Sequence, residues 1–155
     1  MRIWSAAVPA DSAIGMQQAE TGVGGENVSP DLTWDDAPAD TLGYAVTIFD
    51  PDAPTGSGWW HWVVAGIPGD VTSIPLGGPV PDGAYELMND FGYVGYGGPY
   101  PPPGPAHHYV HTVHALDVAD LGLPPDASSA MVRLYMSFHE IGRASFTGTF
   151  ANPNQ

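Results

Sequence analysis

Residues 44–54 read Tyr44-Ala45-Val46-Thr47-Ile48-Phe49-Asp50-Pro51-Asp52-Ala53-Pro54. Tyr44, Val46 and Ile48 alternate with Ala45, Thr47 and Phe49. Both sets are largely apolar, as in a central strand covered on both faces. The strand runs straight into two carboxylates, and two prolines freeze the loop that carries them. Charged groups held on such a loop lose little further entropy on meeting a ligand, which is what a binding site requires.

Further apolar runs follow the same pattern. Segments 60–67, 109–116 and 145–150 read as strands like 43–49, punctuated by 20 Gly and 17 Pro in 155 residues. That punctuation excludes a helical bundle and favours a β-rich domain of 155 residues without an internal repeat. One segment reads as a helix. Asp126, Ser128 and Ser129 offer N-caps, and Met131, Leu134, Tyr135, Phe138 and Ile141 recur at helical spacing up to Gly142. This stripe is expected to pack into the core. Residues 92–105 (GYVGYGGPYPPPGP) are too rich in Gly and Pro for regular structure, and their aromatics favour an ordered functional loop.

Three Arg, no Lys and 17 acidic residues give a formal charge of −14. That field repels phosphate backbones and anionic lipid faces, so nucleic acid is disfavoured, and with no run approaching the length of a membrane span no stable membrane insertion is expected. The bland meaning of the charge is solubility or adaptation to a salty or crowded setting, and a cationic partner is the sharper alternative. With no Cys there are no disulfides, thiolate nucleophiles or Cys-based metal sites. The N-terminus lacks an apolar stretch of signal length, so the chain reads as cytoplasmic, with a trimmed mature form as the alternative.

Histidines carry most of the remaining chemistry. Alternation along Trp60-His61-Trp62-Val63-Val64 puts His61 and Val63 on one face, and Trp60, Trp62 and Val64 on the other. A lone strand histidine is usually structural. Here the acidic loop makes an Asp–His61 pair the sharper reading, with the imidazole held charged. In the run from His107 to His114, a helix would align His107, His111 and His114 as metal ligands. The prolines before it and its Val and Thr content favour a strand, with His107, Tyr109 and His111 on one face and His108 and His114 on the other. No metal site and no cofactor is expected. His139-Glu140 opens a zincin-like pattern, but Arg143 stands where the second His belongs. Gly92, Gly95, Gly97 and Gly98 match no dinucleotide fingerprint, though their N–H groups could form an anion nest. Asn27-Val28-Ser29 is a weak glycosylation sequon because Pro30 follows.

Taken together, these motifs resemble the phosphatidylethanolamine-binding protein family, close to its bacterial Raf-kinase-inhibitor-like branch. The matching pieces are Asn27–Trp34, Asp50–Pro54, Trp60–Val64, Asn89–Gly92, Gly95–Pro99, His107–Tyr109 and Gly148–Phe150, in family order through nearly the whole chain. The resemblance implies an antiparallel Greek-key β-sandwich with a few short helices. It also implies a surface pocket for a small anionic ligand such as phosphate or a phosphorylethanolamine-like headgroup. By matching position, that pocket would use Asp50, His61, His107 and Tyr109, with Asp52, Gly98, Pro99 and Pro101 shaping its walls. Two imidazoles, a tyrosine hydroxyl and glycine N–H groups can all donate to an oxyanion.

The chain departs from the family pattern at His108, where an arginine is usual, at His111 and His114, and in Gly98-Pro99-Tyr100-Pro101-Pro102. Either the depletion of basic residues explains the first change, or His111 adds acid–base capacity to the pocket. A binding module for a small anion is the leading functional expectation. The alternative is a cofactor-free isomerase, cyclase or lyase using Asp50, His61, His107 and His111. A third is a regulator of kinases or proteases. The resemblance also allows a homodimer, which no residue demands.

Overall fold

The computed structural model describes residues 1–154. Eight strands and one α-helix follow one another: β1 (Arg2–Trp4), β2 (Leu32–Asp35), β3 (Gly43–Asp50), β4 (Trp59–Pro68), β5 (Ser73–Ile74), β6 (Tyr85–Glu86), β7 (His107–Leu116), α1 (Ser129–His139) and β8 (Glu140–Phe150). Every ladder between them is antiparallel. Strands β1, β2 and β5 form a small sheet, while the large sheet runs β6-β4-β3-β7-β8. Within the large sheet, β7-β3-β4-β6 is the Greek-key order, because the fourth strand returns beside the first.

Strand β3 sits at the centre, between β4 and β7, which is why both of its faces are apolar. Val46, Ile48, Trp62, Val64, Tyr109 and Val113 pack against Ile3, Leu32, Trp34 and Ile74 of the small sheet, so one core fills the space between the sheets. On the other face Ala45, Trp60, Val63 and Leu116 pack with Leu121, Val132 and Met136 beneath α1. No helix is long and apolar enough to cross a membrane among the described residues.

Two expectations about side-chain direction are corrected. A register shift at Ile48 and Phe49, which pair with Trp62 and Trp60, leaves His61 as an extra, bulged residue on β4. One extra residue reverses the alternation, so Trp60 joins Val63 on the helix side while Trp62 and Val64 stay in the inter-sheet core. The second correction concerns the helix. Ser128 caps it, its hydroxyl accepting from the Met131 N–H at 3.1 Å. However, its buried residues are Val132 and Met136, whereas Leu134 is 54% and Phe138 66% exposed. The helix also ends at His139, and Ile141 belongs to β8. An 11-residue helix lying on a sheet buries only a narrow strip, and here two residues four apart supply it.

Candidate functional site

The loop after β3 opens onto a cavity of about 340 Å³ lined by Asp50, Ala53, Pro54, Thr55, Trp59, His61, Phe91, Tyr100, Pro101, Pro102 and His107. That volume is at the small end for ligand sites. Three strand ends supply its carboxylate and its two imidazoles: Asp50 closes β3, His61 lies near the start of β4, and His107 begins β7.

Asp50 is 3% exposed and accepts twice. Its Oδ2 takes the Nδ1–H of His107 at 2.7 Å, and its Oδ1 takes the Asp52 N–H at 2.8 Å. The carboxylate expected to serve His61 therefore serves His107. The His61 Nδ1–H instead donates to the Gly97 carbonyl at 2.7 Å. A carbonyl can only accept, so the proton of the neutral ring sits on Nδ1 and leaves Nε2 with a lone pair. Burial pushes the His61 imidazole down to about 4, against a smaller opposing pull from the Gly97 carbonyl and the Asp50 charge. His61 is thus neutral at pH 7 rather than charged as expected. Desolvation outweighs a carboxylate that does not touch the ring.

Tyr109 packs edge-on to His61 with ring centroids 5.0 Å apart, behind the cavity rather than in its wall. Its hydroxyl is buried with no hydrogen-bond partner among the described residues. Burial first, and the Asp50 charge next, raise this phenol well above its usual value, so it stays a proton donor. His111 also lies outside the lining. It stacks on Phe146 at 4.5 Å, donates Nδ1–H to the Tyr109 carbonyl at 2.9 Å, and is held down to about 4 by burial.

Asp52, Gly98 and Pro99 do not line the cavity either; they hold its walls. The Asp52 Oδ2 accepts both the His108 N–H at 2.8 Å and its Nδ1–H at 2.7 Å, and the second bond holds the carboxyl below its usual value. This latch ties the acidic loop to β7. The aromatic-rich loop 92–105 is pinned just as firmly. Gly98 donates its N–H to Asn27 Oδ1 at 2.7 Å, Glu20 donates to the Pro99 carbonyl at 3.0 Å, and Asn152 Nδ2–H donates to the Pro101 carbonyl at 3.0 Å.

The glycine nest expected here does not form. The Gly92, Gly95 and Gly97 N–H groups go to the carbonyls of Asn89, Leu87 and His61, and that of Gly98 goes to Asn27. Asn27, in the left-handed region at φ 54, also gives its side-chain amide to the Tyr96 carbonyl at 3.1 Å, so the sequon asparagine is a structural clamp. Sequence reading missed the apolar wall of Trp59, Phe91, Tyr100 and Pro102. Trp59, at the start of β4, and Phe91, in the loop after β6, meet edge-on at 5.3 Å. Adjacent aromatics in the sequence were the available signal.

A family model described as phosphatidylethanolamine-binding protein matches residues 4–151. The chain is 47% identical over 135 residues to the UPF0098 protein YbhB of Escherichia coli, covering 84% of this chain and 85% of that one. Its structure superposes on the crystal structure of E. coli YbcL, described as a new member of the mammalian PEBP family, with a TM-score of 0.92 at 38% identity over 97% of both chains. A putative phosphatidylethanolamine-binding protein homologue from Chlamydia trachomatis, CT736, gives a TM-score of 0.84 at 26% identity, over 96% of this chain and 95% of that one.

Proposed function

This chain belongs to the phosphatidylethanolamine-binding protein family, and we propose on that footing that its Asp50–His61–His107 cavity binds a small ligand bearing a phosphate-type anion. The observation that carries the proposal is the Asp50–His107 hydrogen bond. With Nδ1 committed to the carboxylate, the ring offers only Nε2 to the cavity, and that atom donates to an oxyanion when both nitrogens carry protons. The neutral His61 beside it offers an acceptor, which suits the remaining P–OH proton of a phosphate monoanion. Trp59, Phe91 and Tyr100 give the rest of the ligand an apolar, aromatic surface. An ammonium there, as in phosphorylethanolamine, gains cation–π attraction.

Because the chain carries a formal −14, a second negative charge on the ligand is disfavoured, so a phosphate monoanion should bind better than the dianion that prevails at higher pH. Inorganic phosphate and phosphorylethanolamine titrated at pH 6 and pH 8, followed on the histidine ring protons, test this reading. Saturable shifts at His107 and His61 that weaken at pH 8 are expected, and H107Q should abolish them. Unmoved histidine rings, or affinity that rises with pH, would overturn it.

A second reading is favoured by the unlike settings of the two imidazoles. One is paired with a carboxylate and the other is neutral, within one cavity, which is the arrangement of an acid beside a base. It predicts proton-transfer chemistry, such as isomerisation or elimination, that is lost in H107A and H61A.

A further inference from the structure

Two of the three arginines converge on the other face of the large sheet from that cavity. Between α1 and the helix-facing side of β3, β7 and β8 lies a second cavity of about 360 Å³ lined by both Arg133 and Arg143. It shares no lining residue with the first. Phe49 belongs to this one and Asp50 to the other, so neighbouring positions on β3 serve opposite faces.

Its charge is the reverse of the protein's. Glu140 is the one acidic residue in the lining, against two guanidinium groups. That carboxylate is already satisfied, accepting His114 Nδ1–H at 2.7 Å and an Arg143 N–H at 2.8 Å. His114 is fixed in turn by Thr47, whose hydroxyl lies 2.9 Å from Nε2. Arg133 is different. Its guanidinium lies 5.4 Å over the Trp60 ring and forms no ion pair among the described residues. Asp90 lines an adjoining hollow that Arg133 also borders, but it accepts the Trp60 N–H through Oδ2 at 2.8 Å and forms no ion pair with Arg133. In a chain with 17 acidic residues, this arginine stands exposed with its N–H edge unspent. A guanidinium stacked on an indole keeps that edge free for two parallel bonds to a carboxylate. Behind it, Trp60 stacks on Phe49 at 4.6 Å, and Met136 completes an apolar floor.

We propose that this cavity is a second ligand site, for a small organic monocarboxylate with an aromatic or branched apolar body. The carboxylate pairs with Arg133, and the body lies against Trp60, Phe49 and Met136. A phosphate dianion fits less well, since its second charge meets Glu140 and the field of the whole chain.

Benzoate is the probe, titrated into the intact protein and followed by amide and indole NMR. Saturable shifts are expected at the Thr112 and Ser145 amides and at the Trp60 indole. R133Q should weaken them about tenfold or more, the scale of a lost charged hydrogen bond. Because Arg133 is exposed, R133Q should stay folded, and its His107 response to phosphate should match the parent's, which separates the two sites. The proposal is overturned if benzoate gives no saturable shift there, or if R133Q binds it equally well. Benzoate shifts confined to the His61 and His107 cavity, or inorganic phosphate saturating the Arg133 cavity instead, overturn it too.

Discussion

Asp50 and His107 lie 57 positions apart in the chain, yet the carboxylate of one fixes the ring of the other at 2.7 Å. The register of β3 on β7 makes this meeting possible. Phe49 pairs with Val110, so the strand ends carrying Asp50 and His107 finish side by side. D50A should leave the His107 Nδ1–H, on a side chain only 12% exposed, and the part-buried Asp52 N–H without a partner. We expect a loss of about 1–3 kcal/mol in urea unfolding, the usual cost of stranding a buried polar group. D50N, which still accepts a hydrogen bond, should lose less. Equal losses for both would contradict this role for the carboxylate.

Tyr109 offers the opposite case. Its hydroxyl is buried and unpartnered among the described residues, so removing it relieves a desolvated group at almost no cost in packing. Y109F should be as stable as the parent or slightly more stable. A clear fall in its melting temperature would show that the hydroxyl has a partner, such as a bound water.

Acid should weaken the fold before the carboxylates titrate. His61 and His111 are held near 4 when folded, while their unfolded rings take up protons around 6.5. Between those values the unfolded chain binds more protons. Stability is therefore complete above about pH 6.5 and falls as the pH drops towards 4, by about 3 kcal/mol for each ring. Denaturant titrations at pH 7, 6 and 5 check this, and a flat profile would refute it.

Gly98 packs so closely on the segment 18–20 that an added Cβ would sit 1.9 Å from the Gln18 carbonyl oxygen. Backbone cannot yield cheaply, so G98A should push the loop and its Pro101–Pro102 wall outward. About 2 kcal/mol or more of stability should go, together with the histidine response to phosphate. Retained phosphate binding at unchanged affinity would show that this wall does not shape the site.

The orientation of α1 is tested by comparing its two faces. M136A should cost about 2–5 kcal/mol as a core truncation. L134Q and F138S should stay within about 0.5 kcal/mol, as exposed substitutions do. Parity between the two sets would restore the expectation that the Leu134–Phe138 stripe is core.

That stripe shows where sequence stops being legible. Helical spacing identified the helix, yet which of its faces turned inward depended on the narrow floor made by Trp60 and Val63. Strand β3 was readable because burial on both faces leaves an apolar run. Trp60 was misdirected because a bulge is set by pairing across strands, which alternation in one strand does not contain. The family resemblance supplied Asp50, His61 and His107 as candidates, but not their partners. Whether Asp50 serves His61 or His107 is a difference of one strand in the sheet. The glycine N–H groups looked available until residues as distant as Asn27 claimed them.

The pinning of the 92–105 loop has a consequence for how the protein is made. Asn27 and Glu20 grip it from early in the chain, and Asn152 grips it from late. During synthesis, strands β3 and β4 can pair as a hairpin long before Asn152 leaves the ribosome. The wall at Pro101, by contrast, gains its anchor only after residue 152 has emerged. Contacts of such long sequence separation form slowly. The cavity beside Asp50 is therefore among the last features to assemble, and a nascent chain holds its histidine-bearing strands before it has a pocket to put them in.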